Sequence, residues 1–283
     1  MEQVIVYVAS AFSKNSAGGN KAGVCLSGDM LNPVQKMEIA AKLGYSETAF
    51  ISKSTNEVAD LMVEYFTPIE EVPMCGHATV ATFTVLRELK MLTKNNYMIE
   101  TKSGNLPIKI TDDMIYMEQN KPQFFEKINA DILRDCFDIN ALSDKYISEV
   151  VSTGLKDIML PVKDLETLTK MKPNFEEISR ISETYQTTGI HAFALENDRI
   201  VCRNFAPLYD IPEESATGTA NCALASYLYK NNLMKRSIYT FEQGYSLNQL
   251  SEIQVTLEEH NEMIEKVTVG GSGFIVEKLE LFV

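Results

Sequence analysis

Cys75-Gly76-His77-Ala78-Thr79, continued by small and apolar residues to position 89, has the composition of a buried helix whose first turn is built from small side chains. The same design returns in the other half of the chain as Ala216-Thr217-Gly218-Thr219-Ala220, opening a second such helix over 220–231. A strand over 61–66, ended by Thr67-Pro68, leads into the first segment. A strand over 199–205 and a loop with Pro207 and Pro212 lead into the second. Two matching loop-to-helix junctions in two halves predict an internal duplication, hence two lobes with the active cleft between them.

Working outward, the other elements alternate without a fixed βα rhythm. In the first half, strands are expected over 4–8, 22–26, 48–52, 97–101, 106–110 and 114–118. A helix opens at Asn32-Pro33 and stops at Gly44. Asn120-Lys121-Pro122 reads as the crossover. The second half has strands over 147–153, 156–161 and 189–195, a helix over 174–184, and late strands over 237–243, 252–257 and 265–271. A final apolar strand, 273–276, is assignable to either lobe on periodicity alone.

A length of 283 residues favours two modest cores over one. The apolar fraction of 45% and charged fraction of 23% are those of a globular chain that folds throughout. A formal net charge of -13 argues against nucleic acid and anionic membranes as partners, since both would be repelled. The N-terminal residues read as a strand and not as an export signal, and no apolar run reaches the roughly 20 residues that cross a bilayer, so a cytoplasmic protein is expected. Five widely spaced cysteines without a CxxC pair and three histidines without ligand spacing predict neither a disulfide framework nor a metal site.

Two helix N-termini carrying Gly76 and Gly218 would direct backbone N–H groups and positive dipole ends at an anion, although Gly and Ala serve tight helix packing equally well. His77 is a candidate acid or base because imidazole titrates near neutrality; the competing reading is a structural histidine. Cys75 occupies a position that can favour a thiolate, or is a small buried hydrophobe. Glu47, in Ser46-Glu47-Thr48-Ala49-Phe50, is a carboxylate entering an apolar strand, either a proton carrier tuned by burial or a solvated strand-end acid. Glu214 either orients a substrate amine or lies on the surface.

Gly19-Asn20-Lys21-Ala22-Gly23-Val24, Ser46-Glu47-Thr48-Ala49-Phe50, the run from Tyr65 to Thr79, and Glu214-Ser215-Ala216-Thr217-Gly218-Thr219-Ala220 stand in the order of the PhzF-like phenazine-biosynthesis family. With Glu242-Gln243-Gly244 and Val269-Gly270-Gly271, the chain resembles that family over almost its whole length. The resemblance implies the diaminopimelate-epimerase-like α+β fold: two similar lobes, each a curled mixed sheet around a central helix, with a cofactor-free cleft between them. It also implies that the last strand returns to the first lobe, giving lobes of 1–120 plus 273–283 and 121–272, and that the protein is a homodimer.

On that resemblance Glu47 shuttles a proton between carbons of a small anionic metabolite, as in trans-2,3-dihydro-3-hydroxyanthranilate isomerase, with His77 beside it. Asn20, Gly76, Glu214, Gly218 and Thr219 hold the substrate. The chain departs from the family pattern at Glu214, where Asp is usual, at Lys21, where Pro is common, and at Ser246-Leu247-Asn248, which replace Gly-Arg. Related two-thiol racemases use one cysteine from each lobe, and here Thr217 stands in place of the second. The alternatives are a Cys75-dependent epimerase or dehydratase of amino or imino acids, in which Cys75 and Thr217 form the pair, and a non-catalytic metabolite-binding or interaction protein of the same fold.

Overall fold

The computed structural model describes residues 3–111, 113–137, 141–143 and 145–283. The chain divides into two compact units, Met1–Glu118 with Gly270–Val283, and Gln119–Val269.

The first unit contains β1 (Gln3–Ala11), β2 (Asn20–Cys25), α1 (Pro33–Leu43), β3 (Thr48–Ser52), β4 (Leu61–Phe66), β5 (Glu71–Val72), α2 (Gly76–Glu88), β6 (Asn96–Thr101), β7 (Gly104–Ile110) and β8 (Ile115–Gln119). Asn32 caps α1 through a reciprocal pair of hydrogen bonds with Gln35, Pro33 fills the first turn, and left-handed Gly44 ends it. The chain's last strand, Gly273–Phe282, pairs antiparallel with β1. From it the sheet runs β1, β2, β3, β4, β6, β7, β8, with β5 on the side of β4. The β2/β3 and β4/β6 pairs are parallel and the others antiparallel. α2 packs on β1, β2, β3 and the last strand, and every residue from His77 to Leu86 is buried. A helix apolar on all sides belongs inside a sheet that curls around it. Each of its large apolar side chains contributes about 1.5–3 kcal/mol by burial. α1 covers a second core, with Ile39, Ala40, Phe50 and Phe66, on the opposite side of the strands.

The second unit contains β9 (Gln123–Ile128), β10 (Ser148–Ser152), β11 (Lys156–Pro161), α3 (Leu165–Lys170), α4 (Phe175–Tyr185), β12 (Gly189–Glu196), β13 (Arg199–Ala206), β14 (Ile211–Glu214), α5 (Gly218–Lys230), β15 (Ile238–Gln243), β16 (Ser251–His260) and β17 (Met263–Gly271). Its order is β9, β10, β11, β12, β13, β15, β16, with β14 against β13. The β11/β12 and β13/β15 pairs are parallel. From β9 to β16 the pairings repeat, strand for strand and sense for sense, those from the last strand of the chain through β1 to β7, and α5 matches α2 in length at 13 residues. The duplication inferred from two short segments is therefore a duplication of the whole pairing scheme. α3 and α4 lie over a separate core that includes Ile158, Leu160, Ile178, Ile181 and Phe205.

Several expectations need correction: β5 and β9 were not foreseen, and the final strand runs on to Phe282 instead of ending at 276. The segment with Pro212 is strand β14, not loop. Pro212 is tolerated because β14 pairs with β13 only through Glu214 and Ile211, leaving position 212 without a ladder hydrogen bond to donate. α5 starts at Gly218, two residues before the expected start: extended Thr217 is the N-cap, and Gly218 and Thr219 already form its first turn. The short helix α3 was not expected; Asp164 caps it by accepting from the Thr167 N–H at 2.8 Å.

Candidate functional site

In the first unit, Glu47 directly precedes β3, and Cys75 and His77 flank the N-terminus of α2. The Glu47 Oε2 atom stands 3.3 Å from His77 Nε2, and Ser46 Oγ lies 3.5 Å from the same nitrogen. Both partners are largely shielded, with side-chain exposures of 6% for His77 and 18% for Glu47. Glu47 Oε2 is buried, and among the described residues it accepts no hydrogen bond of good geometry. It is thus a desolvated carboxylate oxygen with an imidazole nitrogen as its nearest ionisable neighbour, which is how a proton carrier is held ready.

Cys75 Sγ lies 3.4 Å from His77 Nδ1 and 3.9 Å from Nε2. A sulfur on the in-plane lone pair of one ring nitrogen would be much farther from the nitrogen across the ring. Near-equal distances put the sulfur over the imidazole face, where in-plane proton transfer to the ring has no path. The ring nitrogen Nε2 of His77 thus faces Glu47, and the thiol lies out of the ring plane. Glu47, Cys75 and His77 also offer three ligand atoms within 4.8 Å of one another, a mixed O/S/N set of the kind borderline-soft cations accept. Sequence spacing gave no sign of this, because only the fold brings Glu47 to the α2 terminus. To share a cation with the sulfur the imidazole would have to turn.

The α2 terminus is open in the way an anion site requires. Its N-cap, Cys75, is extended and makes no side-chain cap. The first intrahelical N–H bond is that of Thr79 to the Cys75 carbonyl at 3.0 Å, so the N–H groups of Gly76, His77 and Ala78 have no acceptor within the helix itself. A Cβ on Gly76 would meet only the tip of Met117, at 3.2 Å. Packing does not demand glycine there, which removes the bland reading of that residue. Asn20 opens β2, on the same end of the parallel β2/β3 pair as Glu47. It follows Gly19, which is left-handed, with Ser10 Oγ and Ala11 O only 2.4 and 2.5 Å from where a Cβ would be.

In the second unit, α5 repeats this terminus. Thr217 is its extended N-cap without a side-chain cap, and the Asn221 N–H reaches the Thr217 carbonyl at 3.2 Å. Gly218 and Thr219 lie in the open first turn. The Thr217 hydroxyl instead donates to Glu214 Oε2 at 2.5 Å. The duplication defines which residues correspond. Thr48 pairs with Gly23 and Gly189 with Asp157, so Thr188 is the counterpart of Glu47, Thr217 of Cys75, and Thr219 of His77. At these three positions one copy has a carboxylate, a thiol and an imidazole and the other has hydroxyls, while the second copy carries its own carboxylates at Glu214 and Asp157. Arg203, a cation that might have met an anion here, is fully engaged: its Nε and Nη2 clamp Glu213 at 2.9 and 2.8 Å, and Nη1 donates to the carbonyls of Met171 and Leu168.

A family model described as phenazine biosynthesis-like protein matches residues 9–278. The chain belongs to this family. An uncharacterized isomerase of Clostridium acetobutylicum is 34% identical over 98% of this chain and 97% of its own. The solved structure of a phenazine biosynthesis protein of the PhzF family from Bacillus anthracis superposes with a TM-score of 0.91, at 28% identity and full coverage of both chains. A hydroxyproline epimerase from Agrobacterium vitis, with bound trans-4-hydroxy-L-proline, shares the fold with a TM-score of 0.63 at 12% identity, covering 99% of this chain and 91% of that one.

In this phenazine biosynthesis-like chain the fold gathers Glu47, Cys75, Gly76 and His77 at one helix end, and Glu214, Thr217, Gly218 and Thr219 at another. Sequence reading missed what lies behind the second group: Gln243, Asn221, His191 and Asp157, all buried. Gln243 carried a signal, as the centre of Glu242-Gln243-Gly244. The other three are single polar residues in otherwise apolar strands and helices, and carried none.

Proposed function

We propose that this phenazine biosynthesis-like protein is an isomerase that moves a proton on a small carboxylate metabolite, using its own side chains and no cofactor, in the manner of trans-2,3-dihydro-3-hydroxyanthranilate isomerase. The observation that carries this reading is the buried Glu47 Oε2, without a hydrogen bond of good geometry and 3.3 Å from His77 Nε2. Glu47 takes a proton from a carbon next to, or conjugated with, the carboxylate and returns it to a second carbon. His77 assists by holding the carboxylate and passing the proton. The N–H groups of the α2 first turn, with Gly76 among them, stabilise the negative charge that develops on the substrate. Asn20, Glu214, Gly218 and Thr219 hold its polar groups. Relatives named as isomerases and the likeness to PhzF-family structures support the class of reaction.

A thiol-based epimerase is disfavoured by the position of Cys75 Sγ over the His77 ring face and by Thr217, not cysteine, at the counterpart position. The formal charge of -13 and the lack, among the described residues, of any helix long and apolar enough to cross a membrane leave a metabolite as the partner. The test is turnover of a panel of cyclic and unsaturated carboxylates in deuterium oxide, followed by mass spectrometry, with and without a chelator. Deuterium enters a substrate carbon with the wild-type protein and not with folded Glu47→Gln. Equal incorporation by both proteins sinks the assignment. Sedimentation tests the homodimer expected from the family.

A further inference from the structure

Behind Glu214 the second unit contains an unbroken set of buried hydrogen bonds. Asn204 Nδ2 lies 3.1 Å from His191 Nδ1, and His191 Nε2 lies 3.3 Å from Asn221 Oδ1. Asn221 Nδ2 donates to Gln243 Oε1 and to the Thr217 carbonyl, both at 2.9 Å. Gln243 Nε2 donates to the Glu214 carbonyl at 2.8 Å and to Thr217 Oγ1 at 3.2 Å. The Thr217 hydroxyl donates to the Glu214 carboxylate at 2.5 Å.

The donor directions follow from chemistry. A carboxamide nitrogen only donates, so Asn204 makes Nδ1 of His191 the acceptor, and the ring proton sits on Nε2, pointing at Asn221 Oδ1. Each later amide accepts on its oxygen and donates on its nitrogen. Thr217 Oγ1 accepts from Gln243, which leaves its one proton for Glu214. Every proton in the series therefore points the same way, from Asn204 to the carboxylate, and no member can reverse without stranding another in the core. Burial lowers His191 to about 4, which keeps it in the neutral form that this direction requires.

We propose that His191, Asn221, Gln243 and Thr217 are a one-way positioning chain that holds Glu214 as a fixed hydrogen-bond acceptor. This deepens the reading of Glu214 as a substrate-binding residue and rests on it. Other ionisable groups stand near Glu214 on β11, β14 and β15. Asp157 on β11 is buried and feels the Glu214 charge. Glu213 is clamped by Arg203 of β13, and Glu242 of β15 is paired with Arg199.

The experiment follows the carbon-13 signal of the Glu214 side-chain carboxyl, identified by its loss in Glu214→Gln, as a function of pH in the full-length protein. Thr217→Val removes the last donor, and its midpoint rises by about one pH unit. Thr217→Ser, which keeps the hydroxyl, retains the wild-type midpoint. Gln243→Glu replaces a donor with a charge and also raises it. Asn231→Ala, which cuts contacts to Glu149 and Tyr227 at the far end of α5, lowers the melting temperature and leaves the midpoint in place. A midpoint unmoved in folded Thr217→Val and Gln243→Glu overturns the chain. If Thr217→Val does not fold, Gln243→Glu against Thr217→Ser decides. Midpoints that move while Glu214→Gln keeps full isotope exchange uphold the chain and reject Glu214 as a substrate contact.

Discussion

Glu47 at the mouth of β3 and His77 in the first turn of α2 meet at 3.3 Å, carboxylate oxygen to ring nitrogen, with the carboxylate oxygen buried. The counterpart pair in the second copy is Thr188 and Thr219, two hydroxyl residues. At these counterpart positions one copy holds a carboxylate and an imidazole and the other two hydroxyls; the second copy's carboxylate, Glu214, comes from the residues before α5. A single-base reaction follows from that asymmetry more naturally than a two-base racemisation.

Removing the Glu47 carboxylate should cost about 10²–10⁴-fold in the isotope-exchange rate, the usual worth of a general acid–base group. Glu47→Asp should fall between wild type and Glu47→Gln, because it keeps the acid but withdraws it from the substrate. Exchange rates in deuterium oxide measure both.

His77→Asn should lose more activity than Cys75→Ala. In the structure the imidazole faces Glu47, while the thiol lies over the ring and serves as a small apolar contact. A larger loss in Cys75→Ala, with matching sensitivity to thiol alkylation, would favour thiol chemistry.

Asp157 is fully buried, and burial first, then the charge of Glu214, pushes its carboxyl from 3.8 up to about 8, against a lowering hydrogen bond from the Gly189 backbone. The folded form thus binds this proton more tightly than the unfolded chain does. Its contribution to stability is complete below pH 3.8 and is lost as pH rises towards 8, by up to ~1.4 kcal/mol per pH unit. Asp157→Asn keeps the shape without the proton, so its unfolding free energy should exceed wild type at pH 8 and match it near pH 4. Denaturant titrations across that range give the difference.

The Arg203–Glu213 pair is buried on both sides, with side-chain exposures of 8% and 9%. Arg203→Met strands the Glu213 carboxylate and two carbonyls, and should destabilise the fold by about 3–5 kcal/mol. The double change Arg203→Met with Glu213→Leu should recover much of that loss. Thermal unfolding of the two variants provides the comparison.

Local signals carried much of the architecture. The cap at Asn32-Pro33 and the stop at Gly44 place α1, alternation places β3 and β4, and the small-residue run after Cys75 places α2. Strand β14 was hidden because Pro212 reads as a breaker unless one knows that its nitrogen faces no partner. The return of Gly273–Phe282 to β1 left no periodic trace, since the pairing joins distant segments, and only the family resemblance implied it.

Most of the elements, the duplication, and the two small-residue junctions with Glu47, His77 and Glu214 as candidates were legible in the chain itself, because capping, periodicity and motif order act over a few residues. Only the tertiary structure decided which groups face one another: His77 towards Glu47, Cys75 over the ring, and Glu214 at the end of a buried chain through Gln243 and His191. Those relations depend on strand register and side-chain direction across the sheet, which no local stretch of chain encodes.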